Sequence, residues 1–355
     1  MHEVASVLGQ SQSCIHTTRG CVREVMVGML VNAVFEGGGV KGIALAGAVH
    51  AAEEKGVRFH QVAGTSSGSI VASLIAAGYK GEEIKKVVEQ TPFSAFLKRS
   101  WIFENVKIIG PALRLFIKKG LYSGEALEYW VYQLLLKKGI RTFGDLKPGQ
   151  LRIIASDISQ GKLLVLPDDI DQYGIDPQKL LISKAIRMST SIPYFFDPVI
   201  VRKPVTIRKK GDLFKNQFIY IVDGGLLSNF PLWLFDKQYE TNMSKMIPTV
   251  GFQLVGKQAA VPHEIYGPVT MLRALVATML EAHDERYIEE HNRFRTIKIP
   301  AVGVRVTQFE ITPEASGKLY ESGYNAASAF FSRWKASEYE NQFKMMVERK
   351  LIPKS

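Results

Sequence analysis

An α/β fold, with a mostly parallel central sheet flanked by helices, is predicted from three features of this 355-residue chain. Strand-like and helix-like runs alternate through the first hundred residues, which implies parallel strands joined by right-handed crossovers. The first strands are continuous apolar runs, as buried parallel strands are. Each of the first two ends in a glycine-rich turn, "EGGGVKG" and then "GTSSG". In such sheets ligands bind at the carboxyl ends of strands, where both turns fall.

The elements follow in order. Residues 1–28 read as a weakly ordered extension without the basic start, apolar stretch and small-residue cleavage site of a secretory signal. Cys14 and Cys21 both lie in it, so no disulfide framework or zinc site is expected in the body, and a reduced cytosolic setting fits. "MLVNAVFE" is a buried strand, and "IALAGAVHAAEEKG" a helix with a glycine stop. "RFHQVAGTSSG" is a second strand running into a turn, and "SIVASLIAAGY" a second helix. "FIYIV", residues 218–222, is a later strand ending at Asp223, Gly224 and Gly225. Toward the C-terminus "YESGYNAASAFFSRW" reads as helix, with Tyr320, Tyr324, Phe330, Phe331 and Trp334 as core anchors. The chain is 46% hydrophobic and has no linker, repeat or low-complexity tract, so one large domain is expected.

No apolar run approaches the roughly 20 residues that span a bilayer. The net charge of +11 suits nucleic acid, an anionic membrane or an acidic substrate. Zinc-finger spacing, an RNA-binding aromatic signature and a long basic helix are all missing from the sequence, which argues against nucleic acid. Between Phe96 and Arg141 nine basic residues face only Glu104, Glu125 and Glu128, interleaved with apolar and aromatic ones such as Trp101, Phe103 and Phe116. That pattern describes either a surface lying on anionic lipid or helices with solvated lysines.

Three uses compete for the first glycine turn. A phosphate-binding P-loop needs Gly-Lys-Ser/Thr, whereas Lys41 precedes Gly42 and Ile43 follows. The dinucleotide pattern is met by Gly37, Gly39 and Gly42, but the acid that should hold the ribose about 20 residues on is replaced by "VAGTSSGS". That replacement suggests the third use. "GTSSG", Gly64 to Gly68, fits G-x-S-x-G, in which a serine stands on a tight strand-to-helix turn. Glycines 37 to 39 then free their N–H groups to converge on one oxygen and hold a transient negative charge.

A base is still required. None of His2, His16, His50, His60, His263, His283 and His291 stands in a loop-and-glycine context, and each reads as a surface or structural residue. Asp223, at a strand's carboxyl end, is placed on the side where Ser66 should be; alone, Asp-Gly-Gly also reads as a simple turn.

"EGGGVKG", "GTSSG" and "DGG", in that order, with "AIRMSTSIPYFFDPV" between the last two, resemble the patatin-like phospholipases, lipid acyl hydrolases with a Ser-Asp dyad. The resemblance runs from about Met29 to Pro231. It implies the patatin-like three-layer fold with Ser66 as nucleophile and Asp223 as base. It makes Gly38 and Gly39 the oxyanion donors, with Gly37 flanking them. Lys41, Gly42, Gly64, Gly68, Gly224 and Gly225 are the supporting motif positions. Residues 29–235 then form the catalytic core, and 236–355 are read as a C-terminal helical part completing the same domain. The substrate implied is a phospholipid or lysophospholipid, met peripherally on the inner face of an anionic membrane. No cofactor or metal is called for, and the oligomeric state is left open. The chain departs from the family at residues 201–218, read as a basic hairpin whose tip touches lipid, and in its N-terminal extension. The pocket is expected to be built largely by residues 90–145 and 265–340. The alternatives are a Ser-His-Asp carboxylesterase using His263 or His283, and a non-catalytic lipid-binding scaffold.

Overall fold

The computed structural model describes residues 28–91, 93–97, 120–204, 214–236, 246–256, 265–267, 290–301 and 310–351, with isolated positions between 270 and 278 and at 303, 304 and 308. Residues 1–27 with both cysteines, residues 98–119 of the basic run, the hairpin tip at 205–213, and His263 and His283 lie outside the described residues.

Strand β1 (Met29–Phe35), helix α1 (Ile43–Glu54), strand β2 (Val57–Thr65) and helix α2 (Ser67–Ala76) form where the sequence places them. Helix α3 (Gly81–Glu89), strand β3 (Gly120–Tyr122) and helix α4 (Glu125–Lys137) follow. Strands β4 (Leu151–Asp157) and β5 (Lys162–Leu166) precede helix α5 (Ile182–Ser189). Then come β6 (Tyr194–Phe196), β7 (Val199–Arg202), β8 (Phe218–Asp223), β9 (Thr249–Val255) and β10 (Thr296–Pro300). Helices α6 (Pro313–Phe331) and α7 (Ala336–Leu351) close the chain.

The main sheet has the order β10-β9-β1-β2-β4-β8-β7, with β5 also on β4. Strands β10, β9, β1, β2 and β4 are mutually parallel. Central β1 has a parallel neighbour on each edge, and its inner residues Val31, Ala33, Val34 and Phe35 are fully buried, which is why its sequence does not alternate. Strands β5 and β8 run antiparallel to β4, and β7 pairs antiparallel with β8 as the expected hairpin.

The registers around β4 decide where the site lies. Strand β2 pairs with Leu151 to Ile154, β8 with Ala155 to Asp157, and β5 with Ile153 to Asp157. Because β5 overlaps both of the others, it takes one edge of β4, and β2 and β8 share the other. They arrive from opposite directions and meet end to end between Ile154 and Ala155.

The C-terminal part is not, as the sequence suggested, helical throughout: two parallel strands from it pair onto the sheet, because their apolar residues are buried against β1 and each other. Strands β9 and β10 extend the sheet beyond β1, and α6 packs on α1 at backbone distance. A Cβ at Gly323 would lie 1.7 Å from the Ala44 carbonyl oxygen, and one at Gly47 would lie 2.0 Å from that of Tyr320. Phe331 is buried in the main core, and Tyr320, Tyr324, Phe330 and Trp334 pack against it. A buried ion pair, Arg295 to Asp236 at 2.6 and 2.9 Å, ties the start of β10 to the segment after β8.

Candidate active site

Strand β2 delivers Ser66 at its end, and α2 starts at the next residue. Ser66 has φ 50° and ψ −124°, a conformation that costs a non-glycine residue roughly 1–3 kcal/mol. Its neighbours supply the restraint. The Ser66 N–H donates to Ser189 Oγ at 2.8 Å, and its carbonyl accepts from the Ser69 N–H at 2.9 Å and the Ser69 hydroxyl at 2.6 Å. The flanking glycines are dictated by contact: a Cβ at Gly64 would lie 2.3 Å from the Gly68 backbone, and one at Gly68 would lie 2.3 Å from the Phe35 carbonyl oxygen.

Asp223 meets Ser66 across the junction of β2 and β8. Ser66 Oγ donates to Asp223 Oδ2 at 2.7 Å, and the Gly225 N–H donates to Oδ1 at 2.8 Å. The sequence put Asp223 beside Ser66 because both end strands. Strand β8 in fact runs against β2, and the two residues meet because β8 stops level with Ala155, one position past the Ile154 level where β2 stops. Gly224 turns the chain away so close to β4 that a Cβ there would lie 2.3 Å from the Ile154 carbonyl oxygen. Asp223 is only 1% exposed and pairs with no cation among the described residues. Burial pushes its carboxyl up to about 7, against a smaller downward pull from the Ser66 and Gly225 hydrogen bonds.

The first glycine loop lies against the serine: a Cβ at Gly37 would be 3.1 Å from Ser66 Cβ. Its three N–H groups are not equivalent. That of Gly37 donates to the Asn229 carbonyl at 3.3 Å, and Asn229 Nδ2 returns a bond to the Gly37 carbonyl at 3.1 Å. That of Gly38 donates to Ser67 Oγ at 3.1 Å. Gly39, with φ 55°, lines the pocket beside Ser66. Lys41 is buried, and its N–H donates to the Gly38 carbonyl at 3.1 Å. Gly42 lies against Ser67, whose Cβ would be 2.7 Å from a Cβ there.

An apolar pocket of about 80 Å³ begins at Gly39, Ser66 and Ser67. Ile70, Val71 and Leu74 of α2, Ile84, Val87 and Val88 of α3, Phe93 and Phe96, and Leu127 and Trp130 of α4 form its walls. Residues 90–145 thus contribute as expected, but no described residue of 265–340 does; α6 is spent on α1 instead. His50 is held 2.5 Å from the Tyr320 hydroxyl and 3.4 Å from Glu54, and exposed His60 lies mid-strand in β2, so neither joins Ser66.

Sequence reasoning missed four residues: Ser189, Ser191, Asn229 and Ser67. The Asp223 N–H donates to the Ser191 carbonyl at 2.9 Å, so the end of α5 holds the backbones of both Ser66 and Asp223. The signal was the serine spacing in "RMSTS", which carries no chemistry until the segment is seen beneath both residues.

The family model for patatin-like phospholipase matches residues 33–236. The chain belongs to that family. As a patatin-like phospholipase it is placed among the lipid hydrolases. Its sequence is 39% identical over 307 residues to the uncharacterized protein YqhO of Bacillus subtilis (strain 168), covering 86% of this chain and 99% of YqhO. Solved structures similar to it include VipD from Legionella pneumophila, with TM-score 0.47, 17% identity and coverage of 85% of this chain and 66% of VipD. The type III effector ExoU gives TM-score 0.44, 15% identity, and coverage of 85% of this chain and 53% of ExoU. The chain therefore spans about half to two thirds of these longer proteins. In this patatin-like phospholipase β9, β10 and α6 lie beyond the family match, yet the two strands extend the sheet that carries Ser66 and α6 packs on α1.

Proposed function

We propose that the chain cleaves carboxylic ester bonds of phospholipids or lysophospholipids through a serine acyl-enzyme. The observation that carries this reading is the 2.7 Å hydrogen bond from Ser66 Oγ to Asp223 Oδ2, made beside an apolar pocket that Ser66 itself lines. Asp223 takes the hydroxyl proton as Ser66 Oγ attacks the ester carbonyl carbon. The carbonyl oxygen becomes an oxyanion, met by the Gly39 N–H and by that of Gly38 once it turns from Ser67. The carbon–oxygen bond to the alcohol breaks, the leaving oxygen takes the proton from Asp223, and the acyl group remains on Ser66. A water molecule then gives its proton to Asp223 and attacks the acyl carbon; Ser66 departs, reclaims the proton and releases the fatty acid. A carboxylate with an ordinary pKa would be a poor base for this work. Raised to about 7, Asp223 matches the basicity of an imidazole.

The net charge of +11 supports action at an anionic membrane surface. No described helix is long and apolar enough to cross a membrane.

Fatty-acid release from mixed phospholipid and lysophospholipid vesicles tests the reading. Ser66→Ala and Asp223→Asn, each folded by circular dichroism, are expected to lose roughly a thousandfold or more in rate. An Asp223→Asn variant with near-normal turnover would move the base elsewhere, and His263, His283 and His291 would be substituted next.

A further inference from the structure

The hairpin of β7 and β8 overhangs the edge of the sheet where Ser66 lies. Strand β8 pairs with β4 only from Asp223 to Ile221, level with Ala155 to Asp157, whereas it pairs with β7 as far as Phe218, level with Arg202. Its first residues, Phe218 to Tyr220, thus run past the last residue of β4. Because β4 is parallel to β2 and β1, that is the edge carrying both glycine turns. Five residues lie between the level of Phe218 and that of Asp223, a rise of roughly 16 Å at about 3.3 Å per residue. One face of the hairpin is packed and the other bare. Val199, Val201, Ile219 and Ile221 are buried in the main core. On the opposite face Ile200 is 52% exposed and Arg202 is exposed beside it, and the turn before β8 adds Phe214, 66% exposed. The Arg202 guanidinium lies 5.7 Å from the ring centres of both Phe214 and Phe218, which pack edge to face at 5.2 Å. Arg202 donates to the neutral Gln217 Oε1 at 3.4 Å, and no carboxylate pairs with it among the described residues.

We infer that this face docks the chain on an anionic bilayer, with Ile200 and Phe214 entering the interface and Arg202 meeting lipid phosphate. The inference rests on the lipid-hydrolase reading and deepens it by naming the surface that meets the substrate's membrane. Two observations choose the bilayer. From Arg202 to Lys215 the sequence carries six basic residues against Asp212 alone, and attraction to anionic lipid grows with each basic residue held near the surface. Nucleic acid would use the charge and could stack on Phe214, but it has no use for exposed Ile200. An aliphatic side chain beside aromatic and cationic ones fits the headgroup boundary, where apolar surface is buried and a guanidinium still reaches phosphate. The hairpin is built on the strand that ends in Asp223, so a membrane held there lies off the same edge of the sheet as the dyad.

The test is flotation of the Ser66→Ala chain with vesicles of phosphatidylcholine, alone or mixed with phosphatidylglycerol, so that binding is read without hydrolysis. The mixed vesicles are expected to carry the chain and the neutral ones to leave it behind, with binding weakened by added salt. Arg202→Glu and Phe214→Ser, introduced separately into that chain, should each lower partitioning about tenfold or more. Lys318→Glu, an equal change of charge at an exposed position of α6, should alter it little. Both hairpin side chains are exposed, so melting temperatures should not move. With Ser66 restored, turnover of p-nitrophenyl butyrate, in which no membrane takes part, should match the wild type in both variants. No binding to the mixed vesicles, binding unaltered in both hairpin variants, or an equal loss in Lys318→Glu would overturn the inference. Single-stranded RNA bound in place of vesicles, and released by the same two substitutions, would overturn it in favour of a nucleic-acid site. Lost turnover of the soluble ester in the hairpin variants would also overturn it, since those residues would then act on the site. A wild type inert on every ester would defeat the catalytic reading alone, and flotation would still decide the face.

Discussion

Ser66 and Asp223 each hold an unfavourable state that the surrounding fold maintains. For Asp223 the cost is electrostatic. Burial with no cation beside it among the described residues pushes its carboxyl up to about 7, and in the proposed mechanism only the ionised form takes the serine proton. Turnover should therefore rise with pH through a single ionisation near 7 and be largely lost by about pH 5. A pH–rate profile on a soluble ester checks this, and a midpoint near 4 would mean that Asp223 is solvated in the working enzyme. For Ser66 the cost is conformational, and Ser189 is a positioning residue that offsets it through the 2.8 Å bond from the Ser66 N–H. Ser189→Ala leaves that buried N–H without an acceptor, a loss of about 1–3 kcal/mol. The expected result is kcat lowered about tenfold or more with KM nearly unchanged, the pH midpoint unmoved, and recovery in Ser189→Thr, which keeps the oxygen. Unchanged kcat in Ser189→Ala would show that the sheet alone holds the turn.

Helix α6 shows how one residue type carries opposite meanings within a single element. At Gly323 the backbone of α1 leaves no room, whereas at Gly317 nothing lies within 4 Å of the point a Cβ would occupy. Gly323→Ala should destabilise by about 2–4 kcal/mol by pushing α6 off α1. Gly317→Ala should stabilise by about 0.5–1 kcal/mol, because alanine is the better helix former. Thermal melts of the two variants check the pair, and equal melting shifts would contradict the crossing. Legibility in the sequence divides along similar lines. Elements β1, α1, β2 and α2 were readable because apolar periodicity and glycine punctuation are local signals. The direction of β8 was not, since "FIYIVDGG" reads alike whichever way the strand runs. Nor were Ser189 and Asn229, whose roles exist only through contacts with residues more than a hundred positions away.

At the scale of the whole molecule, the sheet gathers four distant stretches of chain at one place. The glycine loop after β1, the serine after β2, the end of α5 and the last residue of β8 converge beside the middle of β4. Elements beyond the family match hold the far side: β9 flanks β1, and the Leu254 N–H donates to Glu36, just before the glycine loop, at 2.6 Å. The motifs were legible as an ordered set, but their convergence depends on pairing registers that no single motif encodes. The end-to-end meeting of β2 and β8 on one edge of β4 has a consequence for assembly. A slip of β8 by one residue would carry Asp223 about 3.3 Å along the sheet and turn its side chain to the other face. On the proposed mechanism, molecules with that fault would be compact but silent, so turnover would work as a vernier on the sheet, counting only chains whose strands have locked in step.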